Sequence, residues 1–505
     1  MKASNRIIIN TLAQYGRSII NMVLSLYSSR LVLEYLGVDD YGIYALVAGV
    51  VSMLSFLTNS LVSSTQRFLS VNRGKGNIER LKEIFSNSML IHLVAGFIIS
   101  VVLTSLTPFL FDGFLNIPEY KTSVAKTLYI QVVAMVYISF IASPLRALLV
   151  SRENIVYTSV IDIIDGVLKV ILVLLLPMFA DRLLAYGWIM FSIRAFNLFA
   201  FAIYCFPKYE ECIMPRFRHF NISYLKEMSS FTGWVMYSSG VIAVRTQGMA
   251  IVLNKMLGTA INAAYGIGGQ ISGMISFVSS SFNTAVAPQL MASAGSGNKD
   301  RMWLLAEIES KFSFLILAMI GIPTMFEMQS LLEIWLVEVP DNSVMFGCMF
   351  LTMQIIDMMS SGLGTVNRAT GKNIGSYIFL TFTPKLFVFP ICLVGLKYNM
   401  SLIGICITMI GVEMLSMLLR IYFMKNNDDF YPIKFCKNVI YRSLPPVIIS
   451  VLVCLLICNT LYFNFRFIIT YLITIPIFVL TTYFISLNKW EKEFLISFIN
   501  KFIKR

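Results

Sequence analysis

Two arginines stand where arginine is costly, because Arg17 and Arg245 each fall inside a long apolar stretch. A guanidinium facing hydrocarbon costs about 3 kcal/mol or more, whereas one facing a hydrated cavity keeps its charge and can bind an anion. Around Arg17, the residues Asn10, Gln14, Asn21, Ser25 and Ser28 lie within about 80° of one face of an α-helix. This polar stripe predicts a cavity wall. Arg245 shares a face with Ser238, and the next stretch adds Tyr265, Gly269, Ser272, Ser276, Ser279 and Asn283. Cations of this kind suit an anion through charge-assisted hydrogen bonds, and the amides and hydroxyls supply further polar partners. The candidate substrate-binding set is therefore Arg17, Arg245, Asn10, Gln14, Asn21, Ser25, Tyr265, Ser272 and Ser276. Close packing through small residues is the competing explanation, strongest for the serines near 272.

Carboxylates within apolar stretches form a second set. Asp357 and Glu413 are candidates for an exchangeable proton or sodium site, since an intramembrane acid is expected to be paired or functional. The structural alternative pairs Asp357 with Lys385 and leaves Glu413 without an obvious partner. Asp162, Asp165 and Lys169 share one helix face, and Arg194 would complete a neutral cluster of two acids and two bases. Two histidines, His92 and His219, and eight cysteines without a CxxC pair predict neither a metal centre nor a cofactor. Nothing resembles a set of catalytic residues, so the chain is not expected to be an enzyme.

Positioning these residues requires membrane helices. The 505 residues are 57% hydrophobic and only 13% charged, far below the roughly 25% charge of a soluble domain. The pattern predicts an all-α polytopic membrane protein of about 14 transmembrane helices, near 7–36, 41–66, 85–111, 123–149, 156–178, 184–206, 229–256, 264–291, 304–328, 344–367, 375–396, 402–424, 445–462 and 467–487. The first is too long for a cleavable leader and is expected to be retained. The net charge of +13 has a topological cause rather than a nucleic-acid one. With the N-terminus in the cytoplasm, 25 of the 40 Lys and Arg residues fall on the cytoplasmic side, as the positive-inside rule requires. Both termini are then cytoplasmic. At 488–505, Trp490, Phe494, Phe498 and Phe502 recur every fourth residue among lysines, the pattern of an amphipathic interfacial helix.

A repeat organises the helices. Shifted by 221 positions, residues 36–80 align with 257–301 without a gap, and twelve of the forty-five positions are identical. Leu36 and Gly37 fall on Leu257 and Gly258, and Gly74, Gly76, Asn77 and Arg80 fall on Gly295, Gly297, Asn298 and Arg301. Each unit holds an even number of spans, so the two are parallel repeats, expected to enclose a cavity that opens alternately to either side. The predicted divisions are an N-terminal six-helix lobe at 1–206, a cytoplasmic linker at 207–228, a C-terminal six-helix lobe at 229–424, two further helices at 425–487, and the interfacial helix.

The stretch SRLVLEYLGVDDYGIYALVAGVV at 29–51, with Gln66-Arg67-Phe68, resembles the opening helix pair of bacterial polysaccharide flippases of the O-antigen type. RTQGMAIVLNKMLGTAINAAYGIGGQI at 245–271, AVAPQL at 285–290 and ATGKN at 369–373 are similar to the second lobe of the same family. The resemblance covers both lobes and implies membership of the multidrug/oligosaccharidyl-lipid/polysaccharide exporter superfamily. It further implies movement of undecaprenyl-diphosphate-linked oligosaccharide from the cytoplasmic to the periplasmic leaflet of the bacterial inner membrane, through a cationic inter-lobe cavity. Implied partners are membrane lipids, a polysaccharide polymerase, glycosyltransferases and a coupling cation, with no nucleic acid.

Three alternatives compete with that expectation. A cation-coupled multidrug exporter would favour acids in the first lobe, where the first span carries arginine and no mid-span acid. An enzyme acting on lipid-linked sugars would be expected to need a substantial outer loop, and the longest here, 329–343, has fifteen residues. A non-transport scaffold for polysaccharide assembly would need no open cavity.

Overall fold

The computed structural model describes the chain apart from residues 1–2, 53–54, 112–116, 118, 216–220, 337–338, 426–428, 462–464, 489–490 and 493–505. His219 and nearly all of the interfacial helix expected at 488–505 lie outside the described residues. Those described form helices and short connections, with no strand among them. Lipid offers no partner for backbone N–H and C=O groups, so a chain this apolar must satisfy them within each helix.

Two compact units divide the chain, one comprising Arg6–Met236 and the other chiefly Tyr237–Ala294 and Asn298–Arg505. In the first, α1 (Ala3–Ser52) is followed by α2 (Ser55–Lys75), α3 (Ile78–Ser105), α4 (Thr122–Ser151), α5 (Ile155–Val173) and α6 (Arg182–Lys208). Helix α4 is the hub, packing on α2, α3 and α6. Small residues allow the close approach: a Cβ on Gly96 of α3 would meet Phe140 Cβ at 2.8 Å. Leu128, Tyr129 and Val132 of α4 are buried there with Leu103, Leu183 and Tyr186.

Helix α7 (Ile222–Leu257) crosses from the first unit into the second. There follow α8 (Thr259–Gly295), α9 (Lys299–Phe326), α10 (Met328–Trp335), α11 (Ser343–Met358), α12 (Ser361–Thr370), α13 (Ile374–Leu386), α14 (Val388–Lys397), α15 (Leu402–Met424), α16 (Arg442–Thr460) and α17 (Arg466–Thr481). Helix α9 is the hub of this unit, packed on α11, α12, α16 and α17. Its seam with α12 is the tighter for a glycine, since a Cβ on Gly362 would meet Ala306 O at 2.1 Å. The two helices after α15 are therefore built into the second unit rather than appended to it. Lys311 of α9 donates to Glu491 at 2.8 Å and to Ser486 O at 2.7 Å, and Arg466 of α17 pairs with Glu327 at 2.9 Å.

The 221-residue repeat reappears in the backbone. Gly37 and Gly258 both adopt positive φ, 77° and 93°, and each marks the break between two consecutive spans. Gly76 and Gly297 follow suit at 73° and 76°, a region that glycine enters without steric cost. One residue on, Asn77 and Asn298 cap α3 and α9 by accepting from Arg80 N and Arg301 N, each at 3.0 Å.

Among the described residues, eight helices are long and apolar enough to cross a bilayer, or ten when two bent pairs count as single spans. The bends are 80° between α9 and α10 and 48° between α11 and α12. Some of the fourteen expected spans fall short of this standard because they are polar; α5 carries Asp162, Asp165 and Lys169 within nineteen residues. The outer segment expected as a loop at 329–343 contains α10, a short helix. Large side chains point outward from many helices, among them Phe97, Ile203, Ile251, Ile407 and Leu472, each more than 60% exposed. Such a surface belongs in lipid.

Candidate functional site

In the first unit the polar stripe of α1 meets α5. Arg17 Nη1 donates to Asp162 Oδ2 at 2.5 Å, and Arg146 of α4 grips the same carboxylate with two bonds, Nη1 to Oδ1 at 2.9 Å and Nη2 to Oδ2 at 2.7 Å. Asp165, one turn along α5, accepts from Asn197 at 3.0 Å and lies in the field of Arg194 and Arg146. Lys169 lies within electrostatic reach of Arg194 and Asp165. The neutral foursome expected from the sequence is thus corrected: Arg17 and Arg146 join it, and four bases face two acids. The cluster remains partly open, with side-chain exposures of 17% at Arg17, 15% at Asp162 and 36% at Arg146.

A strained turn sets the start of α5. Glu153 stands at φ 60°, uncommon for a residue with a Cβ. Three neighbours hold it: Arg73 donates to Ser151 O at 2.5 Å, Arg73 pairs with the Glu153 carboxylate, and Asn10 Nδ2 donates to Glu153 O at 2.9 Å. Two turns on, this start puts Asp162 opposite Arg17.

The rest of the α1 stripe divides. Asn10 and Gln14 are buried, and Ser25 is exposed. Asn21 abuts Gly166 of α5, 3.1 Å from where a Cβ would stand. Gln14 Oε1 and Asn21 Oδ1 are buried and find no hydrogen-bond partner among the described residues. Asn10 gives an amide hydrogen to the α4–α5 turn, at Glu153 O.

In the second unit Arg245 of α7 lies within a buried network. Its Nη1 is 2.6 Å from Glu413 Oε2 on α15, and Lys385 Nζ of α13 is 2.5 Å from the other oxygen. Asp357 of α11 is 2.7 Å from Arg420 and 3.8 Å from Lys385. Glu413, expected to lack a partner, has two. Both acids proposed for ion coupling are therefore already met by bases, and Asp357 does pair with Lys385, though more weakly than with Arg420. Three bases face two acids here, but Arg245, Glu413 and Lys385 are no more than 9% exposed. The candidates on α8 differ in burial. Tyr265 is buried edge-on to Phe346 at 5.5 Å, Ser272 is buried, and Ser276 bonds back to Ser272 O at 2.6 Å. A Cβ on Gly268 would meet Gly347 N at 2.7 Å, so α8 and α11 approach closely at that point, whereas a Cβ on Gly266 or Gly273 would meet nothing within 4 Å.

Arg146 and Arg420 were not among the sequence candidates. Their signal was present, an arginine inside an apolar span, but their acidic partners lie on other helices.

The arrangement of helices is shared with known transporters. A MOP superfamily transporter from Pyrococcus furiosus superposes with a TM-score of 0.71 at 12% identity, covering 84% of this chain and 96% of that one. A mutant of the Vibrio cholerae MATE transporter VcmN gives 0.71 at 16% identity, over 84% and 98%. A MATE protein in a straight conformation gives 0.73 at 12%, over 86% and 98%. The chain shares the fold of these membrane transporters. Residues 4–293 match the polysaccharide biosynthesis protein family, and the chain belongs to that family. It is also 22% identical over 322 residues to the uncharacterized membrane protein EpsK of Bacillus subtilis (strain 168), a match covering 62% of this chain and 61% of that protein.

Proposed function

We propose that the protein is a flippase that carries an undecaprenyl-diphosphate-linked oligosaccharide from the cytoplasmic to the periplasmic leaflet of a bacterial cytoplasmic membrane, by alternating access of a cationic inter-lobe cavity. The observation that carries this reading is the cluster of four bases and two acids around Asp162, partly open and set among apolar helices. A diphosphate is the headgroup such a surplus favours, and two arginines offer it forked, charge-assisted hydrogen bonds. Gln14 Oε1 and Asn21 Oδ1, without partners on the same stripe, are acceptors suited to sugar hydroxyls. The prenyl chain stays in lipid while the headgroup crosses. Moving two negative charges outward across an inside-negative potential releases roughly 4.6 kcal/mol per 100 mV, enough to bias direction without a coupling ion. Both termini lie in the cytoplasm on this reading, beside the glycosyltransferases that supply the substrate, and a polymerase of O-antigen or a related polysaccharide receives it outside.

A cation-coupled multidrug exporter shares the fold, but Asp357 and Glu413 already have basic partners, which disfavours them as cation sites. A scaffold would have no use for a surplus of charge within the membrane. The deciding experiment follows lipid-linked oligosaccharide in cells lacking the protein. It should accumulate on the inner leaflet, and a chain carrying Arg17→Gln and Arg146→Gln should reach the membrane at normal levels without relieving the accumulation. Full relief by that variant overturns the assignment.

A further inference from the structure

Asp162 has no evident need of two arginines. Arg146 alone meets both of its oxygens, at 2.9 and 2.7 Å, yet Arg17 is added to Oδ2 at 2.5 Å. One carboxylate therefore occupies a site with two forks, which is the donor set for a tetrahedral dianion rather than for a monoanion. We propose that Asp162 is a built-in stand-in for the phosphate ligand: it holds Arg17 and Arg146 in position while the site is empty and is displaced from them when a diphosphate enters. This rests on the phosphate-binding part of the function proposed above and adds a competitor to it.

Three features of the cluster support displacement over permanent pairing. The first is access, since Arg146 is 36% exposed and Arg17 and Asp162 are 17% and 15% exposed. In the second unit, by contrast, Glu413 holds Arg245 and Lys385 in the same bridging manner, but with every partner sealed at 9% or less. The second is charge. With Asp165, Lys169 and Arg194 included, the cluster keeps two surplus bases while Asp162 is engaged, so an incoming anion meets attraction before it reaches the forks. The third is economy of motion. Asp162 and Asp165 share α5 with Lys169, so a displaced Asp162 has a cation of its own helix two turns away on the same face. A built-in counter-ion keeps two arginines from standing unpaired in a low-dielectric interior, the most costly arrangement for such groups. It also sets an upper bound on affinity, as a transporter that must release its cargo requires.

The test measures binding by the purified full-length protein in nanodiscs, with inorganic pyrophosphate in one arm and undecaprenyl diphosphate incorporated in the lipid in the other. Removing the competitor by Asp162→Asn should tighten pyrophosphate binding roughly tenfold or more, the equivalent of one charged hydrogen bond no longer contested. Arg146→Ala should weaken it by a similar factor. If Asp162→Asn does not fold, the double variant Arg17→Gln with Asp162→Asn removes one fork together with the competitor and should still bind at least as tightly as the wild type. Unchanged or weaker binding by Asp162→Asn, or binding weaker than the wild type by the double variant where that is the one tested, overturns the stand-in role. The lipid arm separates the sources. Variants that respond to pyrophosphate but not to the lipid uphold the displacement and sink the flippase assignment, and a response to both upholds the two together.

Discussion

Arg245 Nη1 lies 2.6 Å from Glu413 Oε2, and the two side chains are only 9% and 3% exposed. With Lys385 on the other oxygen, Glu413 is the tie that joins α7, α13 and α15. Glu413→Ala strands two buried cations, and breaking a buried pair of this kind costs about 3–5 kcal/mol. Thermal unfolding of the purified protein should show a large loss, and the variant should accumulate poorly in membranes. Changing Arg245 and Glu413 together to alanine leaves Lys385 with Asp357 and should recover part of that loss.

Arg17→Gln should behave in the opposite way. Arg146 still satisfies both oxygens of Asp162, so the stability lost is that of one hydrogen bond, about 1 kcal/mol. Translocation of the lipid-linked sugar should nonetheless fall severely. Comparing unfolding midpoints with transport for Arg17→Gln and Arg245→Gln separates a ligand-binding arginine from a structural one: the first lowers the midpoint only slightly, and the second lowers it much further.

Asn77 and Asn298 cap equivalent helices in the two repeats with identical 3.0 Å bonds. Alanine at either position leaves backbone donors of the first turn unmet and should cost about 1 kcal/mol. Because the two caps close different helices and share no hydrogen-bond partner, the two losses should add in the double variant, which chemical denaturation of the single and double variants would measure.

Cys212, between α6 and α7, is 4% exposed, and burial pushes its thiol well above the ordinary cysteine range. Thiolate is the reactive form, so at neutral pH Cys212 should resist a membrane-impermeant maleimide, and its labelling should rise only in strong alkali. A cysteine introduced by Asn77→Cys at an exposed connection should label quickly, and only from the cytoplasmic side. Labelling from the outside would reverse the proposed topology.

Much of this organisation is legible along the chain because its causes are local or periodic. A run of apolar residues long enough to span lipid leaves the backbone no alternative to helix. Gly37 and Gly258 keep their places 221 residues apart because each must enter a region of φ that other residues avoid. Arg17 and Arg245 were likewise visible, since an arginine within an apolar span is conspicuous wherever it occurs. What their charges do was not visible, for an ion pair between helices has no sequence spacing to betray it. Asp162 lies 145 residues from Arg17 and only 16 from Arg146, and Glu413 lies 168 from Arg245.

From its sequence alone, then, this protein is a duplicated bundle of membrane helices carrying basic and polar residues within the bilayer, and that much follows from hydropathy, glycine placement and the repeat. Only the tertiary structure decided that Arg245 is tied to Glu413 in a buried network and that Arg17 and Arg146 converge on one carboxylate. The physical reason is that the cost of a charge in a low-dielectric interior depends on what stands within a few ångströms of it, and that is settled by which helices pack together rather than by the order in which they occur.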